Sequence, residues 1–231
     1  MIVEVLADGE ALAARSVEVI LEAATNAMDE RGKFVWAISG GTTPRRLLEL
    51  LSERTDLDWS RTHLFQVDER IAPDGSDDRN ASMLDTALLT EDFLAHNEPA
   101  GIHLMPVTDD DLNVACTKYA ALMDNHAGSP VVFDLVQLGM GSDGHTASLI
   151  PNDPILAIDD VDIALTGEYQ GRRRMSFTWP VLERAKQLLW VIGGESKQGA
   201  VKLFLDSDSS IPATLPTQAR ATVLLDTAAA G

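Results

Sequence analysis

A single cysteine, Cys116, stands among 231 residues, which excludes an internal disulfide and suits a reducing compartment. It falls in an alanine-rich helical pattern and reads as core filler rather than as a nucleophile. No apolar run approaches the ~20 residues that a bilayer-spanning helix requires. The first residues give way at once to Asp8 and Glu10, unlike a secretory leader, so a cytoplasmic protein is expected. Positive charge is scarce: 18 basic residues, only five of them lysine, face 36 acidic ones, for a net charge of -18. That field argues against nucleic acid and anionic membranes as partners. An anionic small molecule would need a local basic cluster to overcome it. Acid excess with few lysines accompanies adaptation to salt in some proteins, but it is more often a feature of ordinary solvated surfaces. No His, Cys and carboxylate set occurs at metal-ligand spacing, so neither a metal nor another cofactor is expected. His103 and His126 have no partner spacing and read as structural or solvated.

With 45% hydrophobic residues the chain can bury a substantial core. Strand-like and helix-like segments alternate from end to end. Ala13, Val17, Ile20, Leu21, Ala24 and Met28 recur every three or four positions, and Gly32 follows in the place of a C-cap. Short apolar runs at residues 34–38, 63–67, 131–138, 188–192 and 222–225 read as buried strands. Further strands are expected at residues 2–6, 102–107, 163–167 and 175–178. Helices are expected at 80–89, 109–125, 180–186 and 197–205, and a frayed tail over 227–231. There is no linker and no repeat, so one domain over residues 1–231 is expected. The pattern predicts a doubly wound α/β fold, a mostly parallel Rossmann-like sheet with helices on both faces.

Three stretches carry the chemistry. Ser39-Gly40-Gly41-Thr42-Thr43-Pro44 follows a buried strand and opens a helix, with Thr43 placed as N-cap and Pro44 as first helical residue. Free amides there, with glycines leaving the backbone bare, make an anion pocket. The loop lacks the Gly-Lys-Ser/Thr ending of a nucleotide P-loop and the dinucleotide glycine pattern. Asp68-Glu69-Arg70 ends another strand. Gly139-Met140-Gly141-Ser142-Asp143-Gly144-His145 follows a third, with His145 read on the first turn of a short helix ended by Pro151. In open α/β sheets ligands bind beyond the carboxyl ends of the strands, where all three stretches converge.

Taken together, these stretches resemble the motifs of the 6-phosphogluconolactonase family, which is grouped with glucosamine-6-phosphate deaminases. The resemblance extends to Asn80, the strand from Arg174 and residues 194–197. In the deaminases the histidine turn continues to a glutamate that assists ring opening, and the Asp-Glu pair is followed by tyrosine. This chain has Ile150 and Arg70 at those places, which favours the lactonase branch over a deaminase, and retention of both Asp68 and His145 counts against a non-catalytic sugar-phosphate sensor. The resemblance implies hydrolysis of 6-phospho-D-glucono-1,5-lactone to 6-phosphogluconate, in one sugar-phosphate pocket per chain. A monomer or small homo-oligomer is expected.

A lactone already carries an electrophilic carbonyl, so a positioned water and a base suffice. A neutral imidazole accepts a proton near neutral pH, and His145 is the expected base. Asp68 is the expected second catalytic group, orienting the water or the imidazole; Asp143 is the alternative partner of the imidazole, and the spacing alone leaves those roles open. A triad through Ser142 or Ser148 lacks the Gly-x-Ser-x-Gly elbow. The phosphate is expected on Ser39, Gly40, Gly41 and Thr42, with Arg70, Arg174 and Lys197 supplying charge and Arg172 and Arg173 as possible contributors.

Overall fold

A computed structural model describes all of residues 1–231. In chain order the elements are β1 (Ile2–Leu6), α1 (Gly9–Arg31), β2 (Phe34–Ile38), α2 (Thr42–Ser52), β3 (Thr62–Gln66), β4 (Asp68–Arg70), α3 (Asn80–Ala87), α4 (Glu91–His96) and β5 (Gly101–His103). They continue with α5 (Leu112–Ala127), β6 (Leu135–Leu138), β7 (Ile163–Leu165), β8 (Arg174–Phe177), α6 (Trp179–Arg184), β9 (Leu188–Ile192), α7 (Gln198–Leu205), β10 (Ala221–Asp226) and α8 (Thr227–Ala230). No helix is long and apolar enough to cross a membrane.

Seven strands form one parallel sheet in the order β1-β10-β9-β6-β2-β3-β5. The alternation of β2 shows why the runs are continuously apolar. Phe34, Trp36 and Ile38 pack with Leu12, Val17 and Ile20 of α1 and Leu47, Leu48 and Leu51 of α2. Val35 and Ala37 belong to the opposite layer, with Tyr119 and Met123 of α5 and Phe204 of α7. Each fully buried aliphatic or aromatic side chain contributes roughly 1.5–3 kcal/mol, so both faces must be covered. The expected doubly wound arrangement is therefore present. α1 has the expected ends: the Asp8 side chain accepts from Ala11 N at 2.9 Å, and Gly32 is left-handed at φ 75°.

The strand order also places the site. From β2 the chain steps outward through β3 to β5, then returns to the other side of β2 as β6 and proceeds to β9 and β10. The carboxyl ends of β2 and β6 thus flank the point where the winding reverses, which opens a crevice. Residues 39–44 leave one of these strands and residues 139–145 leave the other.

A second sheet was not expected. β4, β8 and β7 form a separate antiparallel sheet of three strands. Asp68-Glu69-Arg70 is thus not the tip of β3 but a strand of its own. β7 and β8 are joined through Tyr169-Gln170-Gly171-Arg172, with Gln170 at φ 53° and Gly171 at φ 78°. Positive φ at both central residues is the mark of a type I′ hairpin turn.

Other boundaries differ for local reasons. Residues 145–150 are turns with an isolated Thr146–Leu149 bridge, not a helix. α2 starts at Thr42, with Gly41 as its cap at φ 126°, so Pro44 is the third helical residue rather than the first. α5 starts three residues later than expected, where Asp111 accepts from the amides of Asn113 and Val114. β5 is shorter than the expected 102–107. The carboxyl terminus is not frayed: Asp226 caps α8, Ala229 is fully buried, and Gln198 Nε2 donates to Ala228 O at 2.9 Å. His103 and His126 do not stand alone but stack against His63.

Candidate active site

The crevice at the winding reversal is a cleft of about 200 Å³. Ser39, Gly40, Gly41 and Thr42 line it, as do Asp68, Arg70, Asn80, His145, Arg174 and Lys197. Every expected site residue except Asp143 lines the cleft directly. Asp143 lies behind the histidine.

His145 is held from below. Its Nδ1 is 2.6 Å from Asp143 Oδ1, and its backbone N donates to the same oxygen at 3.2 Å. An ionised carboxylate only accepts, so the proton lies on Nδ1 and the lone pair on Nε2. Burial alone would raise the Asp143 pKa. The His145 charge, both His145 hydrogen bonds and the Tyr169 hydroxyl outweigh it and hold the carboxyl below its ordinary value. Tyr169 donates to Asp143 Oδ2 at 3.0 Å, and its ring meets the imidazole edge-on at 5.5 Å. Gly141 makes room for the pair. A Cβ there would fall 2.1 Å from His145 Nδ1 and 2.5 Å from Asp143 Oδ1.

Asp68 serves other partners. Ser148 Oγ donates to Asp68 Oδ2 at 2.6 Å, and Asn80 Nδ2 reaches its backbone oxygen at 2.8 Å. Of the two carboxylates left open by the spacing, Asp143 contacts the imidazole and Asp68 does not. Neither Ser142 nor Ser148 hydrogen-bonds His145, and Ser148 is fully buried. The geometry of a serine triad is therefore missing.

The opposite end of the cleft is cationic. Arg70 Nη1 donates to Asn80 Oδ1 at 2.7 Å. Glu69, fully buried beneath it, accepts from the amides of Arg70, Asn80 and Ala81 and from Gln66 Nε2, tying β4 to the start of α3. Arg174 is 4% exposed, its Nε has no protein partner, and its guanidinium lies 5.0 Å from the Tyr169 ring centroid. Burial pulls its pKa down, the Arg70 charge adds to that, and Asp68 opposes it. Lys197 forms no ion pair, and the amides of Gly40 and Gly41 donate to no protein acceptor. Such a set of unneutralised donors suits an anion. Arg172 and Arg173 do not join it: Arg172 pairs with Asp78 at 2.6 Å and Arg173 Nε donates to Thr166 O at 3.1 Å.

Sequence reading missed Tyr169 altogether, and it named Ser148 and Glu69 without their roles as the partner of Asp68 and the buried tie between β4 and α3. For Tyr169 the available signal was the Gln170-Gly171 pair, whose hairpin brings the phenol against Asp143 and Arg174. Ser148 and Glu69 act through contacts distant in the chain and leave no local pattern.

The sequence matches the glucosamine-6-phosphate isomerases/6-phosphogluconolactonase family over residues 7–225. The chain belongs to that family. Within it, a 6-phosphogluconolactonase of Nostoc sp. is 36% identical over 204 residues, covering 86% of this chain and 82% of the relative. The crystal structure of 6-phosphogluconolactonase from Thermotoga maritima superimposes with a TM-score of 0.83 at 27% identity, covering 97% of this chain and 98% of that one. A monomeric glucosamine-6-phosphate deaminase gives the same TM-score of 0.83 at 18% identity, covering 100% and 99%. At that identity the likeness speaks for the fold alone. The family fold therefore does not by itself separate the two chemistries. The residues of the cleft must.

Proposed function

We propose that the chain hydrolyses 6-phospho-D-glucono-1,5-lactone to 6-phosphogluconate, a step of the oxidative pentose phosphate pathway. In this reading it acts as one domain over residues 1–231, in the cytoplasm, as a monomer or small homo-oligomer, with no nucleic-acid or membrane partner. The observation that carries the mechanism is the 2.6 Å contact of Asp143 with His145 Nδ1, which leaves Nε2 as a base at the cleft wall.

The phosphate sits among the Gly40 and Gly41 amides, Arg70, Arg174 and Lys197, and the lactone carbonyl lies toward His145. Nε2 takes a proton from water as its oxygen adds to the carbonyl carbon. The tetrahedral intermediate collapses, the bond to the ring oxygen breaks, and the imidazolium returns the proton to that oxygen. Asp143 steadies the charge on the ring throughout, and Asp68 with Ser148 positions the polar wall. General-base assistance of this kind contributes about 100- to 10,000-fold, or roughly 3–5 kcal/mol of barrier. A deaminase reading is disfavoured because Ile150, an apolar residue 5% exposed, stands where the ring-opening glutamate would be.

The test compares acid release from freshly generated 6-phosphogluconolactone with ammonia release from glucosamine 6-phosphate. Expected are rapid acid release, no ammonia, and loss of turnover in His145→Ala with 6-phosphogluconate binding retained. Turnover surviving in His145→Ala would overturn the base assignment, and ammonia release would overturn the reaction.

A further inference from the structure

Away from the cleft, three histidines from separate elements meet at the outer edge of the main sheet. His63 lies on β3, His103 on the edge strand β5 and His126 in the last turn of α5, and their ligand-capable nitrogens all lie within 4.8 Å of one another. His63 Nδ1 and His103 Nε2 are 3.2 Å apart. The His126 ring centroid is 4.3 Å from that of His63 and 4.7 Å from that of His103. Two imidazole nitrogens on one tetrahedral zinc ion stand ~3.4 Å apart, given bonds of ~2.0–2.1 Å. The first pair is already near that spacing, and a ring nitrogen of His126 lies within 4.8 Å of both.

The backbone is shaped to let these rings converge. Gly101 is the β5 register partner of His63. A Cβ on it would fall 2.5 Å from His103 Nε2 and 2.9 Å from His63 Nδ1, where the rings now overlie bare backbone. The Phe65 ring backs His103 at 4.2 Å. All three imidazoles are half-buried, walled on the core side and open to solvent on the other.

We propose that His63, His103 and His126 form a binding site for a zinc-class divalent cation, with the fourth position left to water. The donor set is all imidazole, which suits zinc and its transition-metal neighbours and not magnesium or calcium, which demand oxygen ligands. Lys33, whose ammonium donates to His126 O at 2.7 Å, sets an opposing charge beside the site and limits its affinity.

Titrating zinc chloride into the metal-stripped full-length protein is expected to show one ion bound per chain and a raised melting temperature, with no response to magnesium. His63→Ala and His103→Ala should each weaken binding at least about tenfold. Both should leave lactone hydrolysis unchanged. Gly101→Ala, which keeps all three imidazoles, should weaken it as well, and Lys33→Ala should tighten it about 3- to 10-fold. His145→Ala should bind zinc like the parent chain. Absence of zinc binding, binding that survives His103→Ala, or binding lost in His145→Ala would each overturn the assignment.

Discussion

Arg70 and Arg174 are register partners on antiparallel β4 and β8, so two guanidinium side chains leave the same face of the small sheet side by side. Like charges directly opposed across a sheet destabilise it unless something anionic joins them. The pair is thus poised for a ligand. Arg70→Gln should raise KM at least about tenfold, roughly 1.4 kcal/mol, with a smaller effect on kcat. It should leave the melting temperature of the free protein unchanged or higher while abolishing most of the rise caused by 6-phosphogluconate. Steady-state kinetics and thermal melts check both halves.

Asp143→Asn should lower kcat by about 100- to 10,000-fold at nearly constant KM, because the amide no longer enforces the Nδ1–H tautomer or balances the imidazolium. Tyr169→Phe removes one hydrogen bond to the same carboxylate and should cost less, about tenfold. A pH–rate series on the three proteins tests the order.

Gly141→Ala places a methyl group 2.1 Å from His145 Nδ1. The catalytic pair must shift, so kcat should fall nearly as far as in Asp143→Asn although no reacting group has been removed. The far end of a side chain moves more easily than backbone, so the melting temperature should change little. Loss of activity tracking loss of folded protein would contradict this.

Ser148→Ala should retain turnover within about tenfold, because Ser148 donates to Asp68 and is not the nucleophile. Its loss leaves a buried carboxylate oxygen short of one donor, costing about 1–3 kcal/mol of stability. A mass-spectrometric search for an acyl-enzyme during turnover should find none.

Cys116 should be nearly inert in the folded protein. Burial pushes its thiol up to about 11, so only about one thiol in a thousand is ionised at pH 8. Labelling with an alkylating reagent should be slow in buffer and accelerate sharply in denaturant.

The main sheet was legible because β2, β9 and β10 bury both faces and so read as unbroken apolar runs between glycines and helix caps. The glycine loops after β2 and β6 were legible for a related reason: backbone that must leave a central strand and stay bare announces itself in composition. The small sheet was not. β4 is three residues long and entirely charged, and its pairing with β8 is a contact across a hundred positions. The His145 turn imitated a helix start because Asp143 does accept one amide, that of His145, but the same oxygen is shared with the imidazole and no helix follows. Choosing between Asp68 and Asp143 needed Ser148, a partner that only the fold supplies. The histidine cluster escaped for the same reason, its members lying on a strand, an edge and a helix end.

The winding reversal between β2 and β6 puts the glycine loop of residues 39–44 and the histidine turn on different strands. The anion-facing loop belongs to the early part of the chain and the seven residues from Gly139 to His145 to the later part, and each is anchored to its own strand. Either segment can therefore change in sequence without rewriting the strand that carries the other.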